Sequence, residues 1–513
     1  MASEGARVVI VGGGIAGLAA AVRLAEQGFA VTLLERRALL GGRASSFPVR
    51  EPAGDRSSSA ETEEPELVDN CQHVLMRCCV NLLDFYERIG AAGTIDFYYS
   101  FRFVDRQGRW STLSASRWLP APLHLIPSLL RFRSMTGLDK ITIAIAMVRL
   151  ARLKPADLQD YKTTFGDWLR RVGQTPNSIE CFWRPVVVSA LNEEPDRTAA
   201  AYAFQLFREA FLRSRRAFEM GLPRVELADL YSGAGGAALA RLGVEVRCGE
   251  RVSRILIEEG RAVGVCVDEE RIPAEIVISA VPYHALPALL DEKTRSQPPF
   301  SRLSEFESSP ITGVHLWFDR SVTDLPHAAL LGREMQWIFN KDGAPTEDKG
   351  RRTEDEGKHP RSRNPIPDTP DLIPNTQDLS PTRGSYLGLL VSASRGLTSR
   401  TRDEIVAMAM EATQAVFPAA REARLIRALV IREKRATFSP QPGAEALRPD
   451  ASTGVAGLYL AGDWTRTGWP ATMEGAVRGG YLAAEQILHD SGQSVSLLAP
   501  EPPADLIPRL MGL

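Results

Sequence analysis

Apolar residues fall into runs of different period along this chain, and each period predicts a different element. Val8–Val11 is an unbroken β-branched run, as in a strand covered on both faces. It stops at a glycine turn, and the alanine-rich stretch 15–27 that follows reads as a helix ended by Gly28. Ala30–Leu34 is then a second apolar strand. Residues 244–267 instead alternate like sheet, with a turn at Glu259-Gly260, and 274–282 reads as another buried strand. "GLYLAGDW" (457–464) is a strand that runs into a small-residue helix. Between these segments, 95–220 and 295–430 mix helical patterns with aromatic clusters, and no repeat of 20–50 residues occurs. The expectation is an α/β protein with one domain assembled from the discontinuous segments 1–95, 225–294 and 435–492. An α+β domain is inserted as 96–224 and 295–434. Residues 50–66 and 341–384 are rich in Pro, Ser and charge and poor in large apolar side chains, so both are expected to be disordered insertions.

Composition narrows the function. A chain of 513 residues supports two domains. A formal charge of −2 gives no global reason to expect nucleic acid as a partner. Six cysteines without a CxxC pair suit a reduced, intracellular protein. The N-terminal apolar run belongs to a motif the mature chain needs, so no secretory signal is expected. No stretch free of Asp, Glu, Lys and Arg is longer than Ile276–Leu290, which is too short and too broken by proline to span a bilayer.

Chemistry enters with "GGGIAG". Gly12, Gly14 and Gly17 are spaced GxGxxG, with Ala16 in the same turn. The first glycine permits the tight turn, the second lets backbone approach a pyrophosphate, and the third lets helix and strand pack closely. The phosphates then meet the free N–H groups of a helix terminus. Glu35 closes the second strand, where a carboxylate can accept from ribose hydroxyls. "LLGGRASSF" (39–47) favours FAD over NAD, because Gly41-Gly42 brings backbone close and Arg43 can face the pyrophosphate as a charged fork. The first domain is therefore read as a Rossmann-type FAD-binding domain.

At this point the sequence resembles the flavin amine oxidase and carotenoid desaturase superfamily. The resemblance implies backbone contacts to adenine from the strand near Val252. "LAGDWTRTGWPATMEGAVRGG" looks like that superfamily's second flavin motif. Gly462 and Asp463 would then lie at the ribityl chain, with Asp463 bonding a hydroxyl. Pro470 and Thr472 start a helix at Met473-Glu474 that would point at the flavin ring and stabilise its anionic reduced form. Gly475, Gly479 and Ala483 leave one face of that helix bare. No cysteine follows Cys266, so the FAD is expected to be non-covalent.

"VDNCQHVLM", "FWRPVVVSALNEEPDRTAA", "LPRVELADLY" and "REKRATF" are similar to one narrower family, the hydroxysqualene dehydroxylases of hopanoid pathways. That resemblance implies reductive removal of an allylic hydroxyl, hydroxysqualene to squalene, with an unknown electron donor. Candidate proton donors are Asp69, His73 and Glu474, with Gln72 orienting; His73 as a hydrogen-bonded wall residue stays open. A zinc site lacks the required ligand spacing, and a hydride reaction needs no Cys–His nucleophile. Two departures stand out: Cys71 where the family usually has glycine, and Arg184 where it commonly has an acid. Alternative readings are a carotenoid or phytoene-type desaturase, an amine oxidase, or a non-catalytic lipid-binding escort-like relative. A polyisoprenoid substrate does not desorb freely into water, so the enzyme is expected at the cytoplasmic face of a membrane. The basic and apolar stretch Arg117–Lys154 suits that surface, with an ordinary amphipathic core helix pair as the alternative.

Overall fold

The computed structural model describes residues 5–49, 66–154, 156–342 and 384–510. The unbroken β-branched run forms β1 (Arg7–Val11), followed by α1 (Ile15–Glu26) and β2 (Ala30–Glu35). β1 is the centre of a five-stranded parallel sheet. β2 and then Glu245–Cys248 lie on one side of it, with Ile276–Ser279 and then Leu458–Leu460 on the other. All three separated segments thus supply strands to one sheet, and its central strands are mostly apolar because helices cover its faces, whereas the edge strand Glu245–Cys248 is partly exposed and carries Glu245 and Arg247. The alternating stretch 244–267 yields the antiparallel pair Val252–Glu258 and Arg261–Val267, turned by Glu259 and Gly260 at positive φ.

The helix Met473–Asp490 packs on α1 through small residues. A Cβ added at Gly480 would lie 2.3 Å from the Ala16 carbonyl oxygen, so only glycine allows this approach. The approach brings the C-terminal helix beside the first βα turn.

The other domain is built on a seven-stranded mixed sheet in the order Leu425–Phe438, Ser308–Phe318, Tyr386–Ser392, Trp337–Asn340, His327–Leu330, Ser100–Val104, Trp110–Ser114. Helices from 126–212 pack over it around a buried aromatic cluster that includes Phe165, Trp183 and Phe207. β3 (Ser46–Val49) and β4 (Glu66–Asp69) form a short antiparallel ladder leading to residues 70–74.

The expected insertions 50–66 and 341–384 lie outside the described residues except at their edges, where the expected bounds are corrected. Glu66 opens β4. Lys341 continues the strand Trp337–Asn340, its backbone N–H donating to the Tyr386 carbonyl at 2.9 Å. Among the described residues no helix is long and apolar enough to cross a membrane.

Candidate functional site

A cavity of about 1110 Å³ runs from the first βα turn, past the start of the helix Met473–Asp490, into the seven-stranded sheet. Gly12, Gly14, Ala16, Glu35, Gly42, Arg43, Val252, Gly462, Asp463 and Met473 all line it. Gly17 does not. A Cβ there would stand 1.9 Å from the Gly12 carbonyl oxygen, so Gly17 serves the close packing of α1 on the turn.

The two glycine motifs interlock. Gly42 has φ +64°, and a Cβ on it would lie 2.9 Å from the Gly14 Cα. The Gly41 N–H donates to the Gly13 carbonyl at 2.9 Å. Gly14 caps α1 without a side-chain hydrogen bond, leaving the first amides of α1 open beside the cavity-lining Ile15 and Ala16. Glu35 is held by the backbone N–H groups of Gly13 (2.7 Å) and Arg37 (2.9 Å). This cradle of bare backbone, helix terminus and fixed carboxylate fits a dinucleotide.

Arg43 departs from its expected pose. Its guanidinium donates to Asp463 Oδ1 at 2.6 Å and to the Ala436 carbonyl at 2.6 Å, joining the two flavin motifs directly. Burial opposes its charge, but the Asp463 carboxylate together with Glu433 and Tyr283 outweighs that and raises its pKa. The helix Met473–Asp490 starts where the sequence placed it, with the Thr472 hydroxyl accepting from the Gly475 N–H at 3.1 Å.

Glu474 lines the cavity, yet its carboxylate is engaged elsewhere. It accepts from Asn81 Nδ2 (2.7 Å), the Leu82 N–H (2.7 Å) and the Asn81 N–H (3.3 Å), at the start of α2 (Val80–Arg88). Burial raises its pKa, and these donors oppose the rise. The carboxylate serves the amino terminus of α2, which counts against Glu474 among the candidate proton donors.

Asp69 is corrected more firmly, because it is absent from the cavity wall. Its position opposite Ser46 in the β3–β4 ladder turns it inward. Oδ1 accepts from the Ser46 hydroxyl (2.8 Å) and the Leu227 N–H (2.9 Å), and Oδ2 pairs with Lys341 Nζ at 3.1 Å. The sequence reading missed Lys341, which also donates to Gln72 Oε1 at 2.9 Å.

Asn70, Cys71, Gln72 and His73 do face the cavity. His73 Nε2 lies 3.2 Å from Asn70 Oδ1 and 3.5 Å from Cys71 Sγ. The Asn70 amide nitrogen donates to the Arg43 carbonyl, so its oxygen is the acceptor and His73 Nε2 carries the proton. Burial lowers the His73 pKa to about 4 and pushes the Cys71 thiol up to about 12. At neutral pH both are therefore uncharged. Arg184 lies outside the cavity wall, forked onto Glu194 by two 2.8 Å hydrogen bonds.

Beyond this polar strip the wall turns apolar, with Phe101, Phe103, Phe211, Phe218, Trp337 and Phe339. Phe101 and Phe103 alternate along one strand and Trp337 and Phe339 along another, so each pair reaches the cavity from one side of the sheet. That alternation was visible in the sequence; its direction was not.

The stretch Arg117–Lys154 folds as helices over the edge strand Trp110–Ser114. In the helix Gly137–Ala151, Ile143, Ala146 and Leu150 face the core. Leu138, Ile141, Ile145 and Val148 form the opposite stripe and are exposed by 45–62%. Leu130 and Trp118, earlier in the same stretch, are exposed by 64% and 91%, and Arg131, Lys140 and Arg152 also belong to it.

Comparison with known proteins agrees with this architecture. Residues 15–488 match the family described as flavin containing amine oxidoreductase. The chain is 24% identical to 15-cis-phytoene desaturase of Solanum lycopersicum, over 94% of this chain and 78% of that protein. It is also 24% identical to 15-cis-phytoene desaturase of Synechococcus elongatus, over 94% and 96%. An oxidoreductase of Methanosarcina mazei shares the fold with a TM-score of 0.65 at 17% identity, over 94% of this chain and all of that one.

Proposed function

The chain belongs to the flavin containing amine oxidoreductase family and uses FAD, and from that premise we propose that it reductively removes the hydroxyl of a long polyisoprenoid alcohol. Hydroxysqualene going to squalene is the favoured case. The observation that carries this reading is the uncharged polar strip Asn70–His73 set between the dinucleotide cradle and a chamber walled by aromatic rings. A hydrocarbon fills the chamber, and one oxygen meets the strip.

Gly12, Gly14, the start of α1 and Glu35 would hold the adenosine and pyrophosphate of FAD, and Arg43, which lines the same cavity, would meet the cofactor from its pairing with Asp463. Val252 would meet the adenine, and Gly462, Asp463 and Met473 would meet the ribityl chain and ring. When bound in its reduced form, FAD supplies the hydride that replaces the hydroxyl at carbon. The C–O bond breaks, and the oxygen takes one proton and leaves as water. Of the three candidate donors, His73 presents its ring to the cavity, whereas Asp69 is tied to Lys341 and Glu474 to α2. His73 would carry the proton, Gln72 would hold the departing oxygen, and the aromatic wall would exclude water from the cation left behind.

The exposed stripe Leu138–Val148, with Trp118 and Leu130, would seat the protein on the cytoplasmic face of an anionic membrane, where such a substrate resides. The resemblance to proteins named 15-cis-phytoene desaturase favours a second reading, the oxidative desaturation of a hydrocarbon polyene.

Anaerobic incubation of the purified holoprotein with hydroxysqualene and photoreduced FAD, followed by gas chromatography, distinguishes the two. Squalene formed in proportion to flavin oxidised supports dehydroxylation. No squalene, together with a new conjugated chromophore from phytoene and a quinone acceptor, replaces it with the second reading.

A further inference from the structure

Lys341 reaches across from the seven-stranded sheet to the loop that follows β4. Its Nζ sits between two oxygens, Asp69 Oδ2 at 3.1 Å and Gln72 Oε1 at 2.9 Å. Asp69 is nearly inaccessible and is fixed independently by Ser46 and Leu227, so the ammonium is anchored on a rigid carboxylate. The consequence falls on Gln72. A carboxamide can turn either its oxygen or its nitrogen to a cavity, and an ammonium, which only donates, selects the oxygen for itself. Gln72 Nε2 is left to donate one hydrogen to the His73 carbonyl at 3.1 Å. Its second N–H has no acceptor among the described residues, and Gln72 lines the cavity.

We propose that Lys341 is a positioning residue that holds the Gln72 carboxamide with an N–H toward the cavity, so that the site selects substrates carrying an acceptor oxygen over the same hydrocarbon without one. The inference rests on the dehydroxylation reading and names what that reading needs, a means of seating the leaving oxygen. The neighbouring groups reinforce the selection. Asn70 accepts from His73 Nε2, and the Cys71 thiol is protonated, so the strip holds no anion that competes for a substrate hydroxyl's hydrogen. An unfilled, half-buried donor on the cavity wall disfavours the bare hydrocarbon, which can return no hydrogen bond to it.

The test is a binding measurement that needs no turnover. A fifteen-carbon isoprenoid alcohol and the corresponding hydrocarbon are titrated into oxidised holoprotein, and the perturbation of the flavin spectrum gives each Kd. The wild type is expected to prefer the alcohol by about tenfold. Lys341→Met should bring that ratio close to one with FAD retained, and Lys341→Arg should restore most of it. Because Lys341→Met leaves Asp69 without its cation, the double variant Lys341→Met/Asp69→Asn removes both charges and should show the same lost preference in a folded protein. A wild type without preference, or a double variant that keeps it, overturns the proposal. Failure of the parent reading looks different: the alcohol preference persists and responds to Lys341, but no squalene forms.

Discussion

If His73 supplies the proton, the rate must follow its protonated fraction, and burial makes that fraction small. The His73 pKa falls from 6.5 to about 4. At pH 7 the imidazolium is then populated on the order of one part in a thousand, which costs about 4 kcal/mol at ~1.4 kcal/mol per unit. That acid is strong when present, because the buried ring releases its proton readily. The expected profile of the single-turnover rate therefore falls about tenfold per pH unit from pH 5 to pH 8, with the break near pH 4. His73→Gln keeps a hydrogen-bonding side chain but cannot take up the proton. It should lower the rate by roughly 10²–10⁴-fold and flatten the profile. The assay is stopped-flow oxidation of pre-reduced holoenzyme by substrate across that range, with the flavin spectrum and melting temperature recorded for each variant. A wild-type profile that is flat from pH 5 to pH 8, with His73→Gln within tenfold of it, refutes the assignment and leaves His73 as a wall residue.

Cys71→Gly should retain FAD and keep or raise turnover, because the thiol is protonated and only fills space beside His73; abolished turnover with FAD bound would contradict this. Asp463→Ala removes the anchor of Arg43 and should weaken FAD retention at least tenfold, read as flavin lost on gel filtration, whereas denaturation of the wild type should release all its FAD. Ile141→Glu/Ile145→Glu, on the exposed stripe, should reduce flotation with anionic liposomes severalfold without changing the melting temperature. His124 is fully buried, both its ring nitrogens lack partners among the described residues, and burial lowers its pKa from 6.5 to about 4. The unfolded chain then takes up the proton first, so stability present above pH 6.5 is lost as pH falls toward 4. At pH 5 the loss is about 2 kcal/mol, and His124→Phe should reduce the drop in urea midpoint between pH 7.5 and pH 5 accordingly.

The parallel sheet was legible because its strands carry their burial in composition: Val8–Val11 and Ile276–Ser279 are apolar at every position but one. The start of the C-terminal helix was legible for a local reason too, since Thr472 caps it within three residues. Asp69 and Lys341 were not. An acid beside Asn70 reads the same whether it faces a cavity or the Leu227 amide, and the register of β3 on β4 decides which. Lys341 begins a long charged run, and the partner that gives it meaning lies 272 residues away. The pairing of Arg43 with Asp463 joins residues 420 apart, so each looked like an independent ligand of the cofactor.

The two departures from the dehydroxylase pattern now separate by location. The Arg184 fork lies on Glu194 and Glu180, off the cavity wall. It can act only through the helix Arg184–Leu191, whose Pro185, Val186 and Ser189 do line the cavity. Cys71 is inside, between His73 and the strand Ser308–Phe318. There Gly313 is bare, and a Cβ added to it would lie 3.2 Å from the Asn70 carbonyl oxygen and 3.5 Å from the Cys71 Cβ. The absent side chain at 313 makes room for the loop and for the thiol at 71 together. A glycine at 71 would enlarge the cavity by little more than one sulfur and its methylene, at the junction of polar strip and apolar chamber. Of the two, only residue 71 is placed to meet a substrate by contact, while 184 reaches the cavity through the helix it begins.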